Sequence, residues 1–101
     1  LVGYEVGAAA GELLSRAFQC DGRELFLNAD ARSGQVRVSV CRPGGNPIKG
    51  FTFNDSRPIR GDRVRHPVSF ANGASLQALA GKEIRLRIEV KHSAVFGWET
   101  V

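Results

Sequence analysis

The residues with types suited to chemistry are few in this chain, and they are scattered. Asp55, Asp62 and His66 fall in one stretch, NDSRPIRGDRVRH, and come nearest to an acid–base set. A hydrolase working through paired carboxylates needs them placed across a cleft, and one loop does not provide that. His66 has no identifiable partner carboxylate or nucleophile, so it reads as a core histidine satisfied by hydrogen bonding rather than a base. The two aspartates offer oxygens for calcium without the regular spacing of a calcium loop, and an internal Asp and Arg hydrogen-bond network is the simpler reading. Cys20 and Cys41, with His66 and His92, lack zinc-ligand spacing. No catalytic residue, metal or cofactor is assigned.

Charge narrows the partners. With 14 Lys and Arg against 10 Asp and Glu, the net charge is +4, and the densest basic run, Arg57, Arg60, Arg63 and Arg65, brackets the loop RPIRGD as the best anion patch. A nucleic-acid footprint sets aromatics between clustered basic residues. Here Arg37, Arg85 and Arg87 lie on wet strand faces interrupted by Glu83 and Glu89, so nucleic acid is not an expected partner.

The elements that must carry these residues are strands. From Glu24 to Val40, Leu25, Leu27 and Ala29 alternate with polar neighbours, then Val36, Val38 and Val40 do the same after ARSG. Two strands joined by an ARSG turn, with Asp30 and Gln35 flanking it, are expected. Ile84, Leu86, Ile88 and Val90 repeat the pattern in EIRLRIEV, which should pair with AVFGWETV as the last strand pair. Further strands are expected around Gly3 to Val6, at Phe51 and Phe53, and in RVRHPVSF, and ELLSRAF fits a strand or a helical turn, the following CDG turn and its short length favouring the strand. In the last of these Val64, His66, Val68 and Phe70 share a face, and Pro67 marks an edge. SLQALAGK reads as one short helical turn, with Ser75 as cap, Leu76 and Leu79 inward and Gly81 ending it.

The chain has 101 residues, 43% hydrophobic and 24% charged, with 12 glycines. That is one globular domain, residues 1–101, all-β, with about eight antiparallel strands. The expected form is a β-sandwich, jelly-roll-like. Disorder and a membrane-spanning helix are excluded by composition. With Leu1 first and no methionine, the sequence reads as a processed chain or a piece of a larger protein, a C-terminal module in particular. Cys20 and Cys41 lie at the outer ends of the expected hairpin. A disulfide requires the chain to fold back at Asp21 and Gly22; two buried thiols are the alternative.

The order GYEVGAAAGELLSRAF, GRELFLNADARSGQVRVSV, GNPIKGFTFNDSRPIRGD and SLQALAGKEIRLRIEV resembles the C-terminal β-sandwich of bacterial secreted proteins that carry a glycosidase-type β-propeller, related to glycoside hydrolase family 32. The resemblance spans nearly the whole chain. It implies a secreted or extracytoplasmic, non-enzymatic accessory domain that packs on the propeller, with carbohydrate binding in some relatives. A polysaccharide or oligosaccharide partner calls for aromatic stacking surfaces, and Trp98, Phe26, Tyr4 and Phe51 are the candidates. Phe26 stands out because its alternation places it on the wet side. The alternative is a purely structural or protein-interaction sandwich whose exposed apolar surface meets the neighbouring domain.

Overall fold

The computed structural model describes residues 2–3 and 10–101, and the order of elements is all-β. Seven strands are present among the described residues: β1 Val2–Gly3, β2 Ala10–Leu14, β3 Phe18–Gln19, β4 Leu25–Cys41, β5 Ile59–Pro67, β6 Glu83–Lys91 and β7 Ala94–Thr100. They form one antiparallel sheet in the order β1-β7-β4-β6-β2, with β5 along the other edge of β4 and β3 on β6. The expected strand between Gly3 and Val6 is met only at Val2–Gly3; the remainder, with Tyr4, lies outside the described residues.

The chief correction concerns ARSG. No hairpin turn forms there: β4 runs 17 residues straight through it. β6 and β7 likewise do not pair with each other. They follow end to end and both run antiparallel to β4, from Cys41 opposite Arg85 to Leu25 opposite Thr100. Inward residues are odd-numbered from Leu25 to Ala31 and even-numbered from Val36 to Val40. A change of phase of that kind demands a turn or a bulge, because a regular pleat puts alternate residues on one side. The facing strand changes phase at the same level, between Val90 and Val95. Four residues of β4, 31–34, thus stand against two, His92 and Ser93. The ribbon bends once as a unit.

Two backbone features make the bend. His92 adopts a left-handed φ of 48°, a conformation costly for a residue with a Cβ. Gly34 approaches the Lys91 carbonyl so closely that a Cβ there would collide with it and with the His92 side chain.

The bend brings both halves of the sheet over one core. Leu27, Val36, Val38, Val40, Ile84, Leu86, Ile88 and Val95 are fully buried in it, each aliphatic side chain contributing about 1.5–3 kcal/mol through burial. Phe51, Phe70, Leu76 and Leu79 close it from the connections. The helical turn appears as a 3₁₀ segment, Leu76–Leu79, with the Ser75 hydroxyl accepting the Gln77 amide at 3.1 Å. A second short 3₁₀ turn precedes it at Ala71–Gly73. Phe51 and Phe53 do not form a strand. The Phe51 amide donates to Ile48 and its carbonyl accepts from Val40, after which Thr52–Asp55 turns back on itself.

Serine hydroxyls complete the ladder where strands stop. β5 reaches β4 only to Ile59 opposite Val36, since Pro58 has no amide to continue the ladder. Val38 donates instead to the Ser56 hydroxyl at 3.0 Å. On β6, Leu86 donates to the Ser15 hydroxyl at 2.8 Å, one residue beyond the end of β2.

Candidate functional site

Asn28, on the outward face of β4, has a bulge on each side. Toward β7, Asn28 pairs with Gly97 and Ala29 with Val95, leaving Phe96 as an extra residue. Toward β5, Leu27 pairs with His66 and Ala29 with Arg63, so Val64 and Arg65 stand against Asn28 alone. A bulge re-aims the side chain at its extra residue. Here each one turns an apolar group to solvent: Phe96 is 51% exposed and Val64 74%. The Asn28 carboxamide between them makes no hydrogen bond among the described residues.

Phe26 continues the same face. It is half-buried, and the Arg65 guanidinium carbon lies 5.4 Å from the centre of its ring, a cation–π arrangement. Arg65 Nε also donates to Glu99 Oε1 at 2.7 Å, and Glu99 is the cross-strand neighbour of Phe26 on β7. That hydrogen bond holds the Glu99 carboxyl below the usual carboxylate range. At the far end, Arg32 donates to both oxygens of Asp30, at 3.0 and 2.8 Å, and lowers its pKa in the same way. The face therefore carries two aromatic rings, an unpartnered amide and two fixed ion pairs.

The other residues expected to form a binding surface lie elsewhere. Trp98 is 6% exposed and stacked on Phe18, with ring centroids 4.7 Å apart and planes 28° off parallel. It faces the core because the bulge at Phe96 shifts the alternation by one residue, and it offers no ring face to solvent. Phe51 is buried edge-on against Phe70 at 5.0 Å, and Val64 points out rather than sharing an inward face with His66. Both cysteines are free and buried. Cys20 belongs to the core, its thiol 3.6 Å from the Leu76 carbonyl. Cys41 follows inward-facing Val40 and sits on the opposite side of β4, 3.6 Å from the Ser39 hydroxyl. Opposite sides of one sheet are the wrong placement for a bridge.

The other titratable groups singled out in the sequence are spread over the fold. His66 is buried, with Nε2 2.9 Å from the Ala29 carbonyl. Asp55 Oδ2 accepts from the Thr52 amide and hydroxyl at 3.0 and 2.8 Å, so a threonine takes the place of the arginines in the network expected of that loop. Asp62 stands opposite Asp30 across β4–β5, and no group of three or more metal-ligating side chains occurs among the described residues. The basic run is dispersed: Arg65 serves Glu99 and Phe26, Arg60 donates to Gln35 at 3.1 Å, and Arg57 lines a separate groove. No helix among the described residues is long and apolar enough to cross a membrane.

Phe96, Val64 and Asn28 were not legible as a set. Gly97, a glycine inside a strand, is the one local sign of a bulge on the β7 side; β5 carries none at Val64. The chain matches no family model, no curated protein and no solved structure.

Proposed function

We propose that this domain is a non-catalytic accessory module of a secreted carbohydrate-active protein, holding a sugar on the outward face around Asn28. The observation that carries this reading is the pair of bulges, which turn Phe96 and Val64 outward on either side of an unpartnered carboxamide. A pyranose presents one apolar face and a rim of hydroxyls, and a site for it combines a flat aromatic surface with a few fixed polar groups. Phe96 supplies the surface, and Asn28, Asp30 and Glu99 supply the polar edge. The resemblance to the sandwich that follows a glycosidase-type β-propeller points the same way, and on this reading the bent sheet is a jelly-roll-like β-sandwich. The test is retention of the domain on a panel of soluble and insoluble polysaccharides by affinity electrophoresis and pull-down. Retention abolished by Phe96→Ala supports the reading, and no retention on any glycan overturns it.

A second reading has its own support. Val64 at 74% exposure and Phe96 at 51% on one face also suit docking against a neighbouring domain such as a β-propeller, since contiguous exposed apolar groups mark interaction surfaces.

A further inference from the structure

Pro67, the cross-strand neighbour of Phe26 on β5, also lines a groove at the end of the sheet. The groove has a volume of about 640 Å³ and runs between Gly22–Leu25, Pro67–Phe70 and Gly73–Gln77, a size typical of small-molecule sites. Its floor is apolar, with Val68, Phe70 and Leu76, and two arginines enter its wall, Arg23 and Arg57. Neither guanidinium has an ion pair or hydrogen bond among the described residues, whereas Arg32, Arg65 and Arg87 each have a carboxylate within 2.8 Å. The backbones that present them are fixed. The Arg57 amide donates to the Ser69 carbonyl at 3.0 Å. The Arg23 amide donates to Asp21 Oδ1 at 3.0 Å, and Asp21 is itself held by the Thr100 hydroxyl at 2.9 Å. Glu24 is the one carboxylate on the lining, and the Asp21 carboxylate just outside it interacts with the Arg23 charge.

We infer that this groove is the subsite for an acidic sugar residue, a uronate carboxylate or a sulfate ester, of a polysaccharide whose neighbouring residues lie on the Phe26–Phe96 face. The inference rests on the carbohydrate-binding reading and adds the charge of the ligand. A guanidinium presents parallel N–H donors that match an oxyanion in a bidentate fork; Arg57 and Arg23 meet it without first breaking a hydrogen bond, and Arg23 shares its charge with Asp21. Ser69, Ser75 and Gln77 also line the groove and add polar side chains suited to ring hydroxyls.

The test is titration calorimetry of the full chain with oligogalacturonate, with its fully methyl-esterified form, and with dextran sulfate against dextran. Arg57→Gln, Arg23→Gln and Phe96→Ala are measured beside Arg60→Gln, a surface arginine outside the groove that controls for net charge. Arg57→Gln and Arg23→Gln should each weaken binding of the acidic ligand about tenfold, the worth of one charge-assisted hydrogen bond, while Arg60→Gln leaves it unchanged. Preference for oligogalacturonate assigns a uronate, and preference for dextran sulfate a sulfate ester. Equal binding of free and esterified forms, and of sulfated and plain dextran, overturns the inference, as does an equal effect of all three arginine substitutions. If neutral sugars bind and only Phe96→Ala matters, the inference falls and the accessory reading stands. If acidic sugars bind through Arg57 without Phe96, the groove stands and the proposed platform falls.

Discussion

Trp98 lies nearly flat on Phe18, with 4.7 Å between ring centroids, and joins the short strand β3 to the start of the β4–β7 ribbon. Its indole N–H is buried without a hydrogen-bond partner among the described residues, so packing rather than polar contact holds it. Trp98→Ala should cost about 3–5 kcal/mol, the range for removing a buried large aromatic. Trp98→Phe should cost much less and leave any glycan binding intact. Urea denaturation followed by far-UV circular dichroism checks the first, because Trp98 is the single tryptophan of the chain and the variant has no tryptophan emission. Emission from the folded wild type should be blue-shifted and resistant to acrylamide, as expected of a 6% exposed indole.

Ser56 and Ser15 each occupy the place of a missing strand. Ser56→Ala leaves the Val38 amide without its acceptor, and Ser15→Ala does the same to Leu86. Each should destabilise the fold by about 1–3 kcal/mol, the cost of orphaning a buried donor. Denaturation midpoints should fall while the slope stays constant; unchanged midpoints would contradict the role given to the hydroxyls.

Gly34 and Gly44 differ in what a methyl group would meet. At Gly34 a Cβ collides with the Lys91 carbonyl, and at Gly44 it meets nothing within 4 Å. Gly34→Ala should cost about 3 kcal/mol or more because backbone must move to admit it, and Gly44→Ala should be neutral within about 0.5 kcal/mol. Thermal melts of the two variants separate these outcomes. Equal melts would mean that β4 does not pass this close to Lys91.

Three carboxylates give stability a definite pH dependence. Asp21 is lowered chiefly by the Arg23 backbone amide, Asp30 by the Arg32 side chain and Glu99 by the Arg65 side chain. Each is lower in the folded state than unfolded, so the unfolded chain binds more protons near pH 4 and stability rises with pH there. The contribution is complete above about pH 5 and is lost as pH falls through the folded-state values. The melting temperature should drop between about pH 5 and pH 3, and Asp21→Asn with Glu99→Gln should flatten that drop. A melting temperature that rises on acidification would contradict the assignment. High salt should erase more of the Asp30 and Glu99 share than of the Asp21 share, because their exposed ion pairs are screened.

The inward residues were legible wherever alternation was unbroken. Leu25 to Ala29, Val36 to Val40 and Ile84 to Val90 face the core as their period of two requires. The ARSG segment was not, since a polar stretch ending in glycine changes the phase of the alternation whether it turns or bends. Only the facing break at His92 and Ser93 decides between them, and that lies about sixty residues away. The site was less legible for the same reason. One extra residue in β7 puts Phe96 and Trp98 on opposite sides, where a regular period of two would put them on the same one, so the aromatic that composition favours is buried and the other is exposed. Phe26 and Asn28, on the uninterrupted half of β4, kept the outward side that their alternation gives them.

The most direct measurement is a heteronuclear NMR titration of the domain with the glycan that retains it best, following backbone amides across the sheet. Binding at the bulged face predicts the largest shifts at Asn28, Phe96, Gly97 and Val64, with Trp98 little moved and the whole response lost in Phe96→Ala. Shifts confined to other surfaces, or a full response in Phe96→Ala, would contradict the account.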